Sequence, residues 1–63
     1  MDEVQLAIRI RETFEESHSF CSLDYISSRI GVDSVDVERV LRNMEREGWV
    51  RYDAASEIWR LLK

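Results

Sequence analysis

Three arginines stand at helical spacing in the segment VDVERVLRNMER: Arg39, Arg42 and Arg46. At 100° per residue they share one face, with Val35 at its N-terminal end and Asn43 beside them. Val37, Val40, Leu41 and Met44 fill the opposite face. These residue types suit a helix lying in a DNA major groove. There arginine binds guanine bidentately, asparagine pairs with adenine, and valine meets a thymine methyl. Arg51 and Arg60, further along, are candidates to support such a contact. The same face also fits plain solvation. Glu38 precedes Arg42 by four and Asp36 precedes Arg39 by three, pairs worth about 0.2–0.5 kcal/mol each. From Asp33 to Glu47 there are five acids against three bases. Both possibilities stay open on the residues alone.

The C-terminal segment EREGWVRYDAASEIWRLLK carries a second kind of chemistry. Trp49, Ile58 and Tyr52 are candidate anchors for a partner helix, since aromatics at a polar-rimmed site dominate protein contacts. Alternatively, Trp49 covers a core edge. No constellation supports catalysis. There is no Ser-His-Asp order, phosphate-cradling glycine loop or secluded carboxylate pair, and no cofactor is implied. His18, Cys21 and Asp24 have loose ligand-like spacing, but one His and one Cys do not build a closed zinc site. Cys21, beside Phe20, reads as a small core residue. The expectation is a non-enzymatic protein without metal.

Sixty-three residues allow one domain, 1–63, with a core near the lower limit for independent folding. No apolar run approaches the ~20 residues that span a bilayer. The start MDEVQ lacks the basic and apolar regions of a secretory signal. A single cysteine permits no internal disulfide and suits a reducing compartment. An intracellular site, cytoplasmic or nuclear, is therefore expected, with no membrane. Thirteen acids against nine bases leave a formal charge of −4, which weakens nonspecific attraction to phosphate. Eight of the nine bases are arginine, so their placement matters more than the total.

The elements that must position these side chains follow from periodicity and punctuation. A first helix is expected from Asp2 to Glu16, with Val4, Ala7, Ile8 and Phe14 on one stripe and Leu6 and Ile10 beside it. SHSFCS reads as an extended connector with a short strand near Phe20. Ser22 caps a second helix that turns Leu23, Ile26 and Ile30 inward and ends at Gly31. Asp33 caps a third, with Asp36 at the capping-box position and Val32 and Val37 at staple spacing. Gly48 ends it. WVRYD and EIWRLL then alternate as half-buried strands joined through DAAS. Val50, Tyr52, Trp59 and Leu61 are expected inside, and Trp49 and Ile58 outside.

This order resembles the winged helix-turn-helix, an α+β fold of three helices and a C-terminal two-stranded hairpin wing. The stretch LDYISSRIGVDSVDVERVLRNMEREGWV carries the likeness. Ser27 lies four residues before the turn glycine, Gly31-Val32 forms the turn, and Gly48 precedes the wing. The glycine-to-aromatic spacing of EREGWVRYDAASEIWRL is similar to the C-terminal winged helix of the replication protein A middle subunit, an acidic domain that binds short partner helices. VERVLRNM with the following glycine and tryptophan resembles the Zα domains, whose Asn and Tyr positions are Glu38 and Arg42 here. A vaguer likeness is to the C-terminal winged helices of MCM helicases. Winged helices serve DNA binding and protein docking alike. The resemblance therefore implies either duplex DNA binding through the third helix, in transcription, replication or repair, or a module docking a partner helix. Weak binding by one copy implies a homodimer or tethering in a larger assembly. The acidic wing tip, Asp53 to Glu57, is a poor phosphate contact.

Overall fold

The computed structural model describes all 63 residues. The elements follow in the order α1 (Glu3–Glu16), β1 (Phe20–Cys21), α2 (Leu23–Ile30), α3 (Ser34–Arg46), β2 (Val50–Asp53) and β3 (Ile58–Leu61). Each helix starts where a short polar side chain satisfies an orphan backbone N–H. Asp2 accepts from Gln5 at 2.8 Å, Ser22 from Tyr25 at 3.1 Å, and Asp33 from Val35 at 2.8 Å. Asp36 turns away from the expected capping box and meets Arg39 instead. Gly31 closes α2 at φ +79°, and Gly48 follows α3 at φ +82°. A methyl at Gly31 would meet nothing within 4 Å, so conformation and not space selects glycine there. Asp33→Ala is expected to cost about 1 kcal/mol, lowering the melting temperature by about 4–8 °C in a circular-dichroism melt.

The core gathers Leu6, Ile10 and Phe14 from α1, Ile26 from α2, and Val37, Val40, Leu41 and Met44 from α3. Cys21, Val50 and Trp59 close it from the sheet. One expectation fails on α1. Of the stripe Val4, Ala7, Ile8 and Phe14, only Phe14 is fully buried, while Val4 is 69% and Ile8 53% exposed. The helix carries two apolar stripes, and packing against α3 and the sheet selects the one containing its largest residue. With Phe14 inward, Ile10 and Leu6 follow at four-residue steps. Thr13 lies on the same face, and its hydroxyl donates to the Arg9 carbonyl at 2.9 Å. On α2, Ile26 is buried, whereas Leu23 and Ile30 are partly exposed at the core edge.

The sheet is antiparallel with order β1-β3-β2, so the last strand in sequence lies in the middle. The short strand expected near Phe20 exists as β1, which pairs Cys21 with Trp59. His18 and Ser19, both at positive φ, turn the chain after α1 to reach this register. Across the wing, Val50 opposes Leu61 and Tyr52 opposes Trp59 on the core side. Arg51 opposes Arg60 on the other face. Val50 and Trp59 are fully buried, and Tyr52 and Leu61 are half-buried. Trp49 and Ile58, expected outside, are half-buried too. This is the winged helix-turn-helix arrangement, α2 and α3 forming the helix-turn-helix and β2–β3 the wing.

Candidate functional site

Helix α3 buries Val37, Val40, Leu41 and Met44, and this fixes which of its faces is left to solvent. Val35, 73% exposed, begins that face. Arg39, Arg42 and Arg46 continue it, all exposed. Their local partners differ. Arg39 lies 3.4 Å from Asp36. Arg42 lies 3.3 Å from Glu38 and 3.5 Å from Glu45, and its guanidinium stands 5.3 Å from the Tyr52 ring centre and 5.0 Å from that of Trp59. Arg46 donates to the Asn43 side-chain carbonyl. The Asn43 amide in turn donates to Glu3 of α1 at 3.1 Å. Asn43 therefore also ties α3 to α1. The Arg39–Asp36 pair is exposed, and at about 0.2–0.5 kcal/mol it yields readily to a phosphate or a base edge.

Arg51 and Arg60 stand apart from this row. They face each other across β2 and β3, on the surface opposite to Tyr52 and Trp59, which carry Arg42. Neither forms an ion pair, and Arg60 lies 5.3 Å from the ring centre of the exposed Phe20. The fold thus divides the five candidate arginines between the outer face of α3 and the back of the sheet. At the wing tip, Asp53 accepts from the Ala55 N–H at 3.0 Å. A hydrogen bond from the Ser56 side chain, chiefly, holds its carboxyl below the ordinary aspartate value. The tip remains anionic.

Of the proposed protein anchors, Tyr52 and Ile58 line the same depressions on the wing, whereas Trp49 stands apart from both. Tyr52 lies under Arg42, and Ile58 sits near the wing tip opposite Asp53. Trp49 packs at the other end, with Arg11 at 5.0 Å and Lys63 at 5.4 Å from its ring centre. It lines a shallow groove with Val4, Ala7, Ile8 and Met44. Val4 and Ile8, expected on the core stripe of α1, supply one wall of this groove, and Trp49, an expected partner anchor, supplies another. His18, Cys21 and Asp24 do not assemble into a cluster able to hold a metal ion. Cys21 is buried, which pushes its thiol above the ordinary cysteine value despite a hydrogen bond with Ser17. No helix is long and apolar enough to cross a membrane.

No protein-family model and no curated protein matches this chain significantly. Two solved structures do. An IclR transcriptional regulator from Alicyclobacillus acidocaldarius superposes with a TM-score of 0.89 and 34% identity, over 97% of this chain and 25% of that one. An IclR-family transcriptional regulator from Brucella abortus superposes with a TM-score of 0.86 and 20% identity, over 97% of this chain and 23% of that one. The chain therefore spans about a quarter of either regulator. The second likeness concerns fold alone.

Proposed function

We propose that this winged helix binds duplex DNA through the outward face of α3, as a module of transcriptional regulation. The observation that carries the proposal is the exposed row Val35, Arg39 and Arg46, which no other element covers. The likeness to a transcriptional regulator at 34% identity supports it. With α3 in a major groove, Arg39 and Arg46 reach base edges or phosphates, Val35 meets a thymine methyl, and Asn43 is available to adenine once it leaves Glu3. Arg51 and Arg60, on the back of the sheet, serve a flanking phosphate rather than the same groove. A formal charge of −4 makes one copy a weak binder. Two copies, or tethering within a longer protein, supply the affinity. The protein has no catalytic role in this scheme, and it works inside the cell, where duplex DNA is.

An ¹⁵N-labelled sample titrated with mixed-sequence duplex tests this. Amides of residues 33–46 and the Arg39 and Arg46 side-chain resonances are expected to shift. If three phosphates are neutralised, affinity falls by about 40-fold between about 50 and 200 mM salt. Absence of shifts at about 50 µM duplex in low salt would sink the proposal.

One observation favours a second function, docking of a partner helix in the manner of the replication protein A winged helix. It is the groove of Val4, Ala7, Ile8 and Trp49, which leaves apolar side chains exposed. Shifts confined to these residues on adding an amphipathic helix, with duplex silent, would favour it.

A further inference from the structure

We propose that Arg42 does not read DNA but positions the wing against α3. This rests on the DNA-binding function proposed above and assigns a different task to the middle arginine of the row. Arg42 has four partners within the chain: the carboxylates of Glu38 and Glu45 and the rings of Tyr52 and Trp59. Arg39 has one acid and no ring, and Arg46 has Asn43. One Arg42 amino group turns to each carboxylate, so the fork is spread along α3 while the guanidinium stands over the wing. Only a planar, delocalised cation meets two acids and two ring faces together.

The two rings are themselves a cross-strand pair, 4.9 Å apart and tilted by 48°, from β2 and β3. Arg42 thus ties both wing strands to the helix from which the hairpin departs. Another tie lies at the root of the hairpin, where the Trp49 N–H donates to the Met44 carbonyl at 2.9 Å. Val50 and Trp59 hold the base of the hairpin in the core, and Arg42 adds a polar contact from α3 to a ring of each strand. Electrostatics points the same way. Were Arg42 to leave for a groove, Glu38 and Glu45 would face the phosphates uncompensated. In place, its single charge offsets half of theirs.

The test compares Arg39→Met, Arg42→Met and Arg46→Met in the full chain, Met keeping the aliphatic stem. The probe is a mixed-sequence duplex of about two helical turns, with affinity measured over a range of salt. Far-UV circular dichroism confirms that each variant is folded. Arg39→Met and Arg46→Met are expected to reduce the slope of log affinity against log salt by about 0.9 each. Their Tyr52 and Trp59 resonances stay in place. Arg42→Met is expected to keep the wild-type slope, lose about threefold to tenfold in affinity, and displace the Tyr52 and Trp59 signals in the free protein. A slope reduced by about 0.9 in Arg42→Met overturns the proposal. So do unmoved ring signals in that variant. If the wild type binds no duplex, the DNA function falls, and the free-protein spectra alone decide the positioning role by the same criterion.

Discussion

Trp59→Ala is expected to remove a large part of this chain's stability and to shift its urea midpoint far below that of the wild type. Trp59 is 2% exposed and sits on β3, the middle strand, where it opposes Cys21 on one side and Tyr52 on the other. Removing it opens the largest void that any single truncation to alanine can make in this core, and Trp→Ala costs about 3–5 kcal/mol. A chain of this length has roughly 3–9 kcal/mol in total. The loss also removes the ring that packs on Tyr52 at 4.9 Å, while the backbone pairing of β3 with β1 and β2 is retained. Trp49→Ala supplies the contrast, because that ring is half-buried at the edge of the core under Arg11 and Lys63. Its variant should stay folded, with a smaller fall in melting temperature. Urea unfolding followed by far-UV circular dichroism compares them. Equal midpoints for the two variants would mean that the tryptophans are equivalent, contrary to their burial.

The second large effect concerns binding. Arg39→Glu with Arg46→Glu is expected to abolish detectable duplex binding while leaving the fold intact. Two lost contacts at about 1–3 kcal/mol each already amount to about 30-fold or more, and the new carboxylates add repulsion from the phosphates. Exposed substitutions of this kind change stability by only about 0.5 kcal/mol. The control is Arg9→Glu with Arg29→Glu, at the junction of α1 and α2, where these arginines pair with Glu12 and Glu16. Each Arg→Glu change removes one positive and adds one negative charge, so both double variants go from −4 to −8. Fluorescence anisotropy with one duplex compares them at matched salt. Equal losses would assign the effect to net charge; a loss confined to Arg39 and Arg46 assigns it to the face of α3.

The fold was readable because its punctuation is local. Ser22 and Asp33 cap helices through their own oxygens, Gly31 and Gly48 occupy positive φ, and the alternation of the last strands places Val50 and Trp59 inside. None of this needs knowledge of distant residues. The inward stripe of α3 was equally plain, since its opposite face is almost entirely polar. Helix α1 offers the counter-example. Val4 and Ile8 are as apolar as Leu6 and Ile10, so periodicity alone cannot choose which pair turns inward.

For the site, the sequence by itself determined the row Val35, Arg39, Arg42 and Arg46, because residues at i, i+3, i+4 and i+7 share a helix face whatever surrounds them. It also determined the pairs Glu38–Arg42 and Asp36–Arg39. Only the tertiary structure decided that Arg42 lies over Tyr52 and Trp59, that Arg51 and Arg60 occupy the back of the sheet, and that Trp49 belongs with α1. The physical reason is range. Caps, turns and helix faces are fixed by interactions between residues a few positions apart. Which arginine stacks on which ring depends on how the wing is carried across α3, and that is set by side chains packing from opposite ends of the chain.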